Sequence, residues 1–303
     1  MRFVCYKEFD DPAEPIYPGI LYKGKTLPLA RVMAVAEALD PKGVVLPDDI
    51  NEIVQLMTGY SAAIKELEKK KILDQIWQEV GVTAAAPLPR PTRILAIGRN
   101  YAEHAAETGA AVPTEPIVFM KASSTVIGPG QSIVLPENVG QVDFEGELAV
   151  VIGKAGKNVP ENEAMTLVAG YTLFNDVTAR DQQKRDIARG LPWFLSKSYD
   201  TFGPMGPCLV SADEIKNPQN LTLTTTVNGE VKQSVNTSEM VFSIPFLISW
   251  LSSKIALEPG DVIITGTPPG IGPLKHGDEI DVRIEEIGTL HNTVRNENEY
   301  LED

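Results

Sequence analysis

Gly140-Gln-Val-Asp-Phe-Glu-Gly-Glu-Leu-Ala-Val-Val-Ile-Gly153 joins an acidic opening to a continuous apolar run. The run Leu148 to Ile152 reads as a strand. A strand sends residues i and i+2 to one face, so Glu145 and Glu147 are expected to point into the same space. A third acid, Asp176, stands in Phe174-Asn-Asp-Val-Thr-Ala-Arg-Asp181, directly after the apolar segment Leu167 to Phe174. Like charges this close are unfavourable unless a proton or a cation neutralises them, and apolar surroundings raise the cost. Three converging carboxylates with no Cys or His among them suit a hard divalent ion, Mg²⁺ or Mn²⁺. The other reading puts the Glu-x-Glu pair on the wet face of an edge strand, and these residues alone leave both open.

Outward from this stretch the chain is mostly strands. Arg93 to Ile97, Asp261 to Thr265 and Glu279 to Ile284 are short strand patterns, and Leu221 to Val235 is a hairpin turning at Asn228-Gly229. Only brief helical patterns interrupt them, at Tyr101 to Glu107, Glu161 to Val168 and Pro245 to Leu251. Strands and long helices do not alternate regularly, so a doubly wound fold is not expected. A mixed, largely antiparallel, β-rich α+β domain fits. The first part differs: a strand at Gly19 to Tyr22 turns at Lys23-Gly-Lys25, and helical patterns follow at Ala30 to Leu39 and Asp48 to Ile72. Ala84-Ala-Ala-Pro-Leu-Pro-Arg-Pro91 then reads as an extended linker. The expected division is a small N-terminal α/β domain over 1–83, a proline-rich linker over 84–91 and a main domain over 92–303.

The 303 residues suffice for a large core, and 43% hydrophobic with 22% charged content is that of a globular protein. A formal net charge of −14 argues against a nucleic-acid surface and against docking on anionic lipid. Cys5 and Cys208 are the only cysteines, and no Cys/His zinc spacing occurs. No signal-peptide core and no run of membrane-spanning length is present, so the cytosol is the expected compartment.

Three further constellations can carry chemistry. Asn100-Tyr-Ala-Glu-His-Ala-Ala-Glu107 opens with a possible capping pair, Asn100 and Glu103, and on a helix His104 and Glu107 are neighbours at i, i+3. A carboxylate beside an imidazole orients it and raises its basicity, as a general base requires; a solvated His with an incidental ion pair is the plainer reading. Lys197, in Trp193-Phe-Leu-Ser-Lys-Ser-Tyr-Asp-Thr-Phe202, is either a positioned charge for a carboxylate or enolate, or a surface lysine lying over apolar neighbours. Gly266-Thr-Pro-Pro-Gly-Ile-Gly272 is either an anion-holding loop built from backbone N–H groups and the Thr267 hydroxyl, or a plain tight turn. Gly19-Ile-Leu-Tyr-Lys-Gly-Lys-Thr26 matches the letters of a phosphate loop, but its interior is strand-like and Pro28 follows, so it reads as a hairpin.

Taken in order, the segments Gly98 to Glu107, Phe119-Met-Lys-Ala-Ser-Ser124, Asp143 to Gly153, Asn175 to Asp181, Lys197 to Pro207 and Thr265 to Gly272 resemble the motifs of the fumarylacetoacetate hydrolase family. The match runs from about Arg93 to Leu290, with Ala122 in place of a common Pro. The resemblance implies a β-roll-like catalytic domain, usually a homodimer, with Mg²⁺ or Mn²⁺ on Glu145, Glu147 and Asp176. It implies a small anionic 2-oxo or β-diketo acid as substrate, contacted by Lys121, Arg180, Gln183 and Thr267. His104 and Glu107 match the family's lid dyad, and Lys197 its enolate-stabilising lysine. The activity so implied is metal-dependent C–C hydrolysis of an acylpyruvate or fumarylpyruvate. The alternatives are a 2-oxo-acid (oxaloacetate) decarboxylase or an isomerase on the same site, and from another class a catalytically silent, metal-stabilised scaffold.

Overall fold

The structure, a computed structural model, describes residues 1–8, 14–41, 47, 50–76 and 82–300. Strands β1 (Arg2–Lys7), β2 (Tyr17–Tyr22) and β3 (Lys25–Pro28) lead into helices α1 (Leu29–Leu39) and α2 (Ile50–Lys69). Next come β4 (Thr83–Ala85), β5 (Arg93–Gly98), the short helix α3 (Ala102–Glu107) and β6 (Ile117–Lys121). Then follow β7 (Val126–Ile127), β8 (Ser132–Leu135), β9 (Val142–Phe144), β10 (Gly146–Ile152), β11 (Val168–Asn175) and β12 (Thr178–Ala179). Helices α4 (Arg180–Ala188) and α5 (Phe194–Lys197) precede β13 (Gly203–Ser211) and the hairpin β14 (Thr222–Val227) and β15 (Glu230–Asn236). Helix α6 (Ile244–Lys254), β16 (Asp261–Ile264), β17 (Gly272–Pro273), β18 (Glu279–Ile284), β19 (Gly288–Asn296) and the short helix α7 (Glu297–Tyr300) complete the order.

The main sheet runs β3-β2-β1-β13-β11-β10-β16-β5-β6, with β4 paired to β1 and β7 to β13. A second sheet has the order β15-β14-β18-β19-β8, and a small third one β12-β9-β17. Pairing is antiparallel except at β16 with β5, β13 with β7 and β19 with β8. This is the mixed, mostly antiparallel, strand-rich architecture expected of the sequence.

Strand β10 shows why its apolar run is continuous: both of its faces are covered. Ala149 and Val151 pack with Val32, Ile53 and Met57 of α1 and α2. Leu148, Val150 and Ile152 pack on the other side with Leu247 and Leu251 of α6 and with Leu223 and Val282 of the second sheet. Each fully buried aliphatic side chain of this kind contributes about 1.5–3 kcal/mol, so the strand that carries the acidic residues is anchored along its length. The hairpin turns as expected, with Asn228 at φ 52° and Gly229 at φ 77°, the left-handed pair of a type I′ turn.

The N-terminal segment is joined to the rest through backbone. Strand β1 pairs with β13 of the main sheet, and β4 pairs with β1. Residues 84–91, expected as an extended linker, contain the end of β4, and Ala85, Ala86 and Leu88 are buried. The Lys23-Gly-Lys25 hairpin forms between β2 and β3. Helix α2 starts at Ile50, and positions 48–49 of the expected 48–72 helix lie outside the described residues. Glu161 to Val168 is a 3-10 turn, Glu161–Leu167, rather than a helix of α type. Among the described residues, no helix is long and apolar enough to cross a membrane.

Candidate active site and metal centre

The acidic cluster is built at a corner. Strands β9 and β10 belong to different sheets, and Glu145 stands between them, outside either strand. Gly146 makes the corner possible: a Cβ there would lie 2.2 Å from the Thr225 hydroxyl of β14. Because Gly146 pairs with Asn175 and Glu147 with Phe174, the chain past β11 arrives opposite Glu145. There the Asp176 N–H donates to the Glu145 carbonyl at 2.8 Å, and the Glu145 N–H donates to Asn175 Oδ1 at 2.9 Å. The convergence of the two glutamates thus holds, but through a bend at Gly146 and not through the alternation of one strand.

Glu145, Glu147 and Asp176 are all buried and each offers an oxygen within 4.8 Å of the others. Lys197, at the end of α5, is buried with its Nζ 2.8 Å from Glu145 Oε2 and 2.6 Å from Asp176 Oδ2. Arg180, opening α4, donates to Asp143 Oδ2 at 2.8 Å, to Glu145 Oε1 and to Gln183 Oε1. Gln141 donates to the other Asp143 oxygen at 2.7 Å. Lys121 lies behind Asp176, its Nζ 2.7 Å from Oδ1 and donating to the Val177 carbonyl at 3.2 Å.

These contacts set the charge states. Burial acts to raise the Glu145 carboxyl, but Lys197 and Arg180 outweigh it and hold the group well below the usual carboxylate range. Glu147 lacks such a cation: burial, then the charges of Asp176 and Glu145, push it well above that range. Burial alone lowers an ammonium, yet Asp176 and Glu145 keep Lys197 above its ordinary value. For Lys121 burial prevails over Asp176, and its ammonium is lowered.

The residues fit a divalent ion. Glu145, Glu147 and Asp176 bring three carboxyl groups together, and no cation is in contact with Glu147 to neutralise it. Asp176 Oδ1 is buried and accepts no aligned hydrogen bond, despite the nearby Lys121 ammonium. Every donor atom is a carboxylate oxygen, the chemistry of Mg²⁺ and Mn²⁺.

A cavity of about 460 Å³ opens over this cluster. His104, Glu107, Glu145, Glu147, Asp176, Arg180, Gln183, Lys197 and Thr267 all line it, whereas Lys121 is not among the lining residues. His104 is 6% exposed, and its Nδ1 lies 3.2 Å from Glu107 Oε2. The other Glu107 oxygen accepts the Gly270 N–H at 2.9 Å, which ties helix α3 to the Gly/Pro loop. At Gly270, φ is +97° and a Cβ would meet the Lys232 carbonyl at 2.0 Å, so glycine is required for that N–H to face the helix. The first N–H of the same loop, Gly266, donates to Glu147 Oε2 at 2.6 Å. The loop therefore uses this N–H to hold a ligand-type carboxylate. Thr267 donates to the Gly146 carbonyl at 3.1 Å and accepts from Gln233 Nε2 at 2.8 Å.

Asn100 does not cap α3. The helix begins after Tyr101 with no side-chain cap, and Asn100 instead donates to the carbonyls of Thr265 and Phe242 and accepts the Phe242 N–H. It bolts the root of α3 to the strand that starts the Gly/Pro loop. Sequence reading assigned no role to Asp143, Phe119, Gln141 or Gln233. The first two stand inside the quoted motifs; the other two carry no local signal, since their partners arrive by tertiary pairing.

Comparison with known proteins gives the chain its relatives. Residues 93–295 match the family model for the fumarylacetoacetate (FAA) hydrolase C-terminal region. The mitochondrial oxaloacetate tautomerase FAHD2A of Homo sapiens is 48% identical over 220 residues, 70% of this chain and 69% of that protein. The mitochondrial oxaloacetate tautomerase fahd2 of Xenopus laevis is 39% identical over 301 residues, 97% of this chain and 90% of that one. Among solved structures, a 2-hydroxyhepta-2,4-diene-1,7-dioate isomerase from Mycobacterium marinum is 41% identical with a TM-score of 0.64, covering 71% of this chain and 79% of its own. Maleylpyruvate hydrolase from Sphingobium sp. SYK-6, in complex with manganese(II) and pyruvate, has a TM-score of 0.77 at 29% identity, covering 98% and 99%.

Proposed function

The chain belongs to the fumarylacetoacetate hydrolase family, and on that premise we propose that it is a divalent-metal-dependent enzyme of keto–enol chemistry on a small 2-oxo acid, its reaction being tautomerisation of an oxaloacetate-like substrate. The observation that carries the reading is Lys197: a buried ammonium held between Glu145 and Asp176, in a cavity also lined by the His104–Glu107 pair. Mg²⁺ or Mn²⁺, held by Glu145, Glu147 and Asp176, supplies Lewis acidity to a keto oxygen when bound.

The side chains do the rest. Lys197, itself buried, holds a fixed positive charge where an enolate oxygen develops. His104, with its ring oriented by Glu107, moves the proton: the enol gives up its O–H proton, the carbon beside the keto group gains one, and the reverse direction runs the same transfer backwards. Thr267 and Gln183 present polar groups that orient the acid. Tautomerisation conserves all atoms and needs no attacking water. It ranks ahead of the hydrolysis expected from the motifs because identity to the tautomerases, 48% and 39%, exceeds the 29% to the maleylpyruvate hydrolase.

Cleavage of an acylpyruvate or fumarylpyruvate is the second reading, favoured by one contact: Glu107 is fixed by Gly270, so His104 is oriented as a base for water as well as for carbon. A homodimer belongs to the proposal, supported by the exposed Val118 and Met120 on edge strand β6 and Phe194 and Leu195 on the neighbouring α5. A cytosolic setting is supported by Cys5 and Cys208, both free thiols.

The test follows the ultraviolet absorbance of enolic oxaloacetate with Mg²⁺, with EDTA as control and acetylpyruvate in parallel. Accelerated, EDTA-sensitive loss of the enol without release of CO₂ supports the tautomerase. Acetate and pyruvate from acetylpyruvate, with the enol unaffected, replaces it with the hydrolase; CO₂ release above background replaces it with the decarboxylase.

A further inference from the structure

The wall of the cavity that leads away from the carboxylates ends in an unpaired cation. Lys197 Nζ lies 5.2 Å from the Phe119 ring, Phe119 lies 5.3 Å from the Trp193 ring, and the Arg99 guanidinium lies 5.6 Å from Trp193. Lys197 and Arg99 thus each stand over one ring of an aromatic pair. Lys197 and Arg180 are each committed to two carboxylates. Lys184, the remaining cation on the lining, is 67% exposed and 4.0 Å from Asp181. Among the described residues no carboxylate pairs with Arg99.

The backbone is arranged to place this guanidinium. Gly98 leaves room for Trp193, since a Cβ there would sit 2.8 Å from the indole. Arg99 itself is held at φ 56°, a left-handed conformation that a non-glycine residue adopts only at a cost. A guanidinium laid on an indole keeps its edge N–H groups free, in the geometry that takes a carboxylate through two hydrogen bonds.

We propose that Arg99 binds a second, distal carboxylate of the substrate and so selects 2-oxo dicarboxylates over 2-oxo acids with an uncharged tail. The inference rests on the 2-oxo-acid reading above and adds to it the residue that reads the far end of the substrate. It does not depend on whether the reaction is tautomerisation or cleavage.

The test is calorimetric binding to the Mg²⁺-loaded full chain of two inert probes: oxamate, with one carboxylate, and N-oxalylglycine, which adds a distal one. Wild type is expected to favour N-oxalylglycine. Arg99→Gly, whose backbone suits the left-handed turn, is expected to lose about 10- to 100-fold of that affinity while keeping its oxamate affinity. Arg99→Lys is expected to fall between, because a point charge replaces a fork. With the natural substrate the loss appears in KM more than in kcat. Equal wild-type affinity for the two probes, or equal loss of both in Arg99→Gly, overturns the proposal alone. Binding of neither probe overturns it together with the 2-oxo-acid reading.

Discussion

Two charge clusters of similar composition stand in this chain, one inside and one on its surface. In the interior, Lys197 bridges Glu145 and Asp176 at 2.8 and 2.6 Å, with side-chain exposures of 2%, 6% and 1%. On the surface, Lys65 of α2 bridges Asp213 and Glu214 at 2.6 and 3.0 Å, with exposures of 48%, 48% and 40%. The distances are alike and the consequences are not. Water screens the outer cluster and solvates each partner when the other leaves. The inner one has no such recourse, so each member fixes the charge state of the others. The inner cluster is a chemical device, while the outer one helps dock α2 beside β13.

The sharpest way to break the comparison is Glu147→Ala. Glu147 is the acid without a cation of its own, so its loss leaves no orphaned base. The variant is expected to fold normally, to show no Mn²⁺ binding by calorimetry, and to lose activity by about a thousandfold or more. Turnover at wild-type rates would remove the metal assignment. Lys197→Ala comes next. It takes one cation from Glu145 and Asp176, which keep Arg180 and Lys121, so metal-free protein is expected to lose up to about 3 kcal/mol of stability and activity about 100- to 1,000-fold. Mn²⁺ should raise the melting temperature of this variant more than that of wild type, because the ion replaces the missing charge; an equal shift would show that the two clusters differ less than burial implies.

Glu107→Ala is intermediate. It frees both His104 and the Gly270 N–H, and activity is expected to fall about 100-fold with Mn²⁺ affinity retained. Loss of metal binding in that variant would mean that helix α3 supports the cluster itself. The smallest effect is expected from Lys65→Ala, below about 1 kcal/mol in denaturant unfolding at pH 7 and with no change in kcat. Its sign with pH is fixed. Burial would raise Asp213, but hydrogen bonds from Lys65, Ser211 and Ser61 outweigh it; the bond from Lys65 is the main cause of a lowered Glu214. Acids depressed on folding stabilise above their unfolded values of about 4 and lose that contribution as pH falls through the folded ones. Lys65 is raised mainly by its hydrogen bonds to the two acids, so its part is complete below its unfolded value of about 10.4 and fades as pH climbs past the folded one. The gap between wild type and Lys65→Ala should therefore be flat across neutral pH and close in strong acid. A gap that widens in acid would contradict this.

What sequence could convey here followed from local periodicity and turn chemistry. Leu148 to Ile152 announced a strand, and Asn228-Gly229 announced its turn, because both signals act within a few residues. The ordered motifs brought Glu145, Glu147, Asp176, His104, Glu107 and Lys197 into one list, and the structure brings them to one cavity. Where long-range contacts outvote local preference the reading fell short. Asn100 has the chemistry of a helix cap but is used across 142 and 165 residues of chain. Ala86 and Leu88 lie among prolines that look like a linker, yet they are buried. Gln233 and Arg99 have no neighbours in sequence that hint at Thr267 or Trp193.

The loop from Gly266 to Gly270 has a grip at each end. Its first N–H holds Glu147, a carboxylate of the cluster; its last holds Glu107, the partner of the imidazole. Five residues thus span the two halves of the chemistry, and both grips are backbone N–H groups. Any movement that lifts α3 pulls on the same short tether that steadies Glu147. The orientation of the imidazole and the charge at the floor of the cavity are thereby set by one piece of backbone.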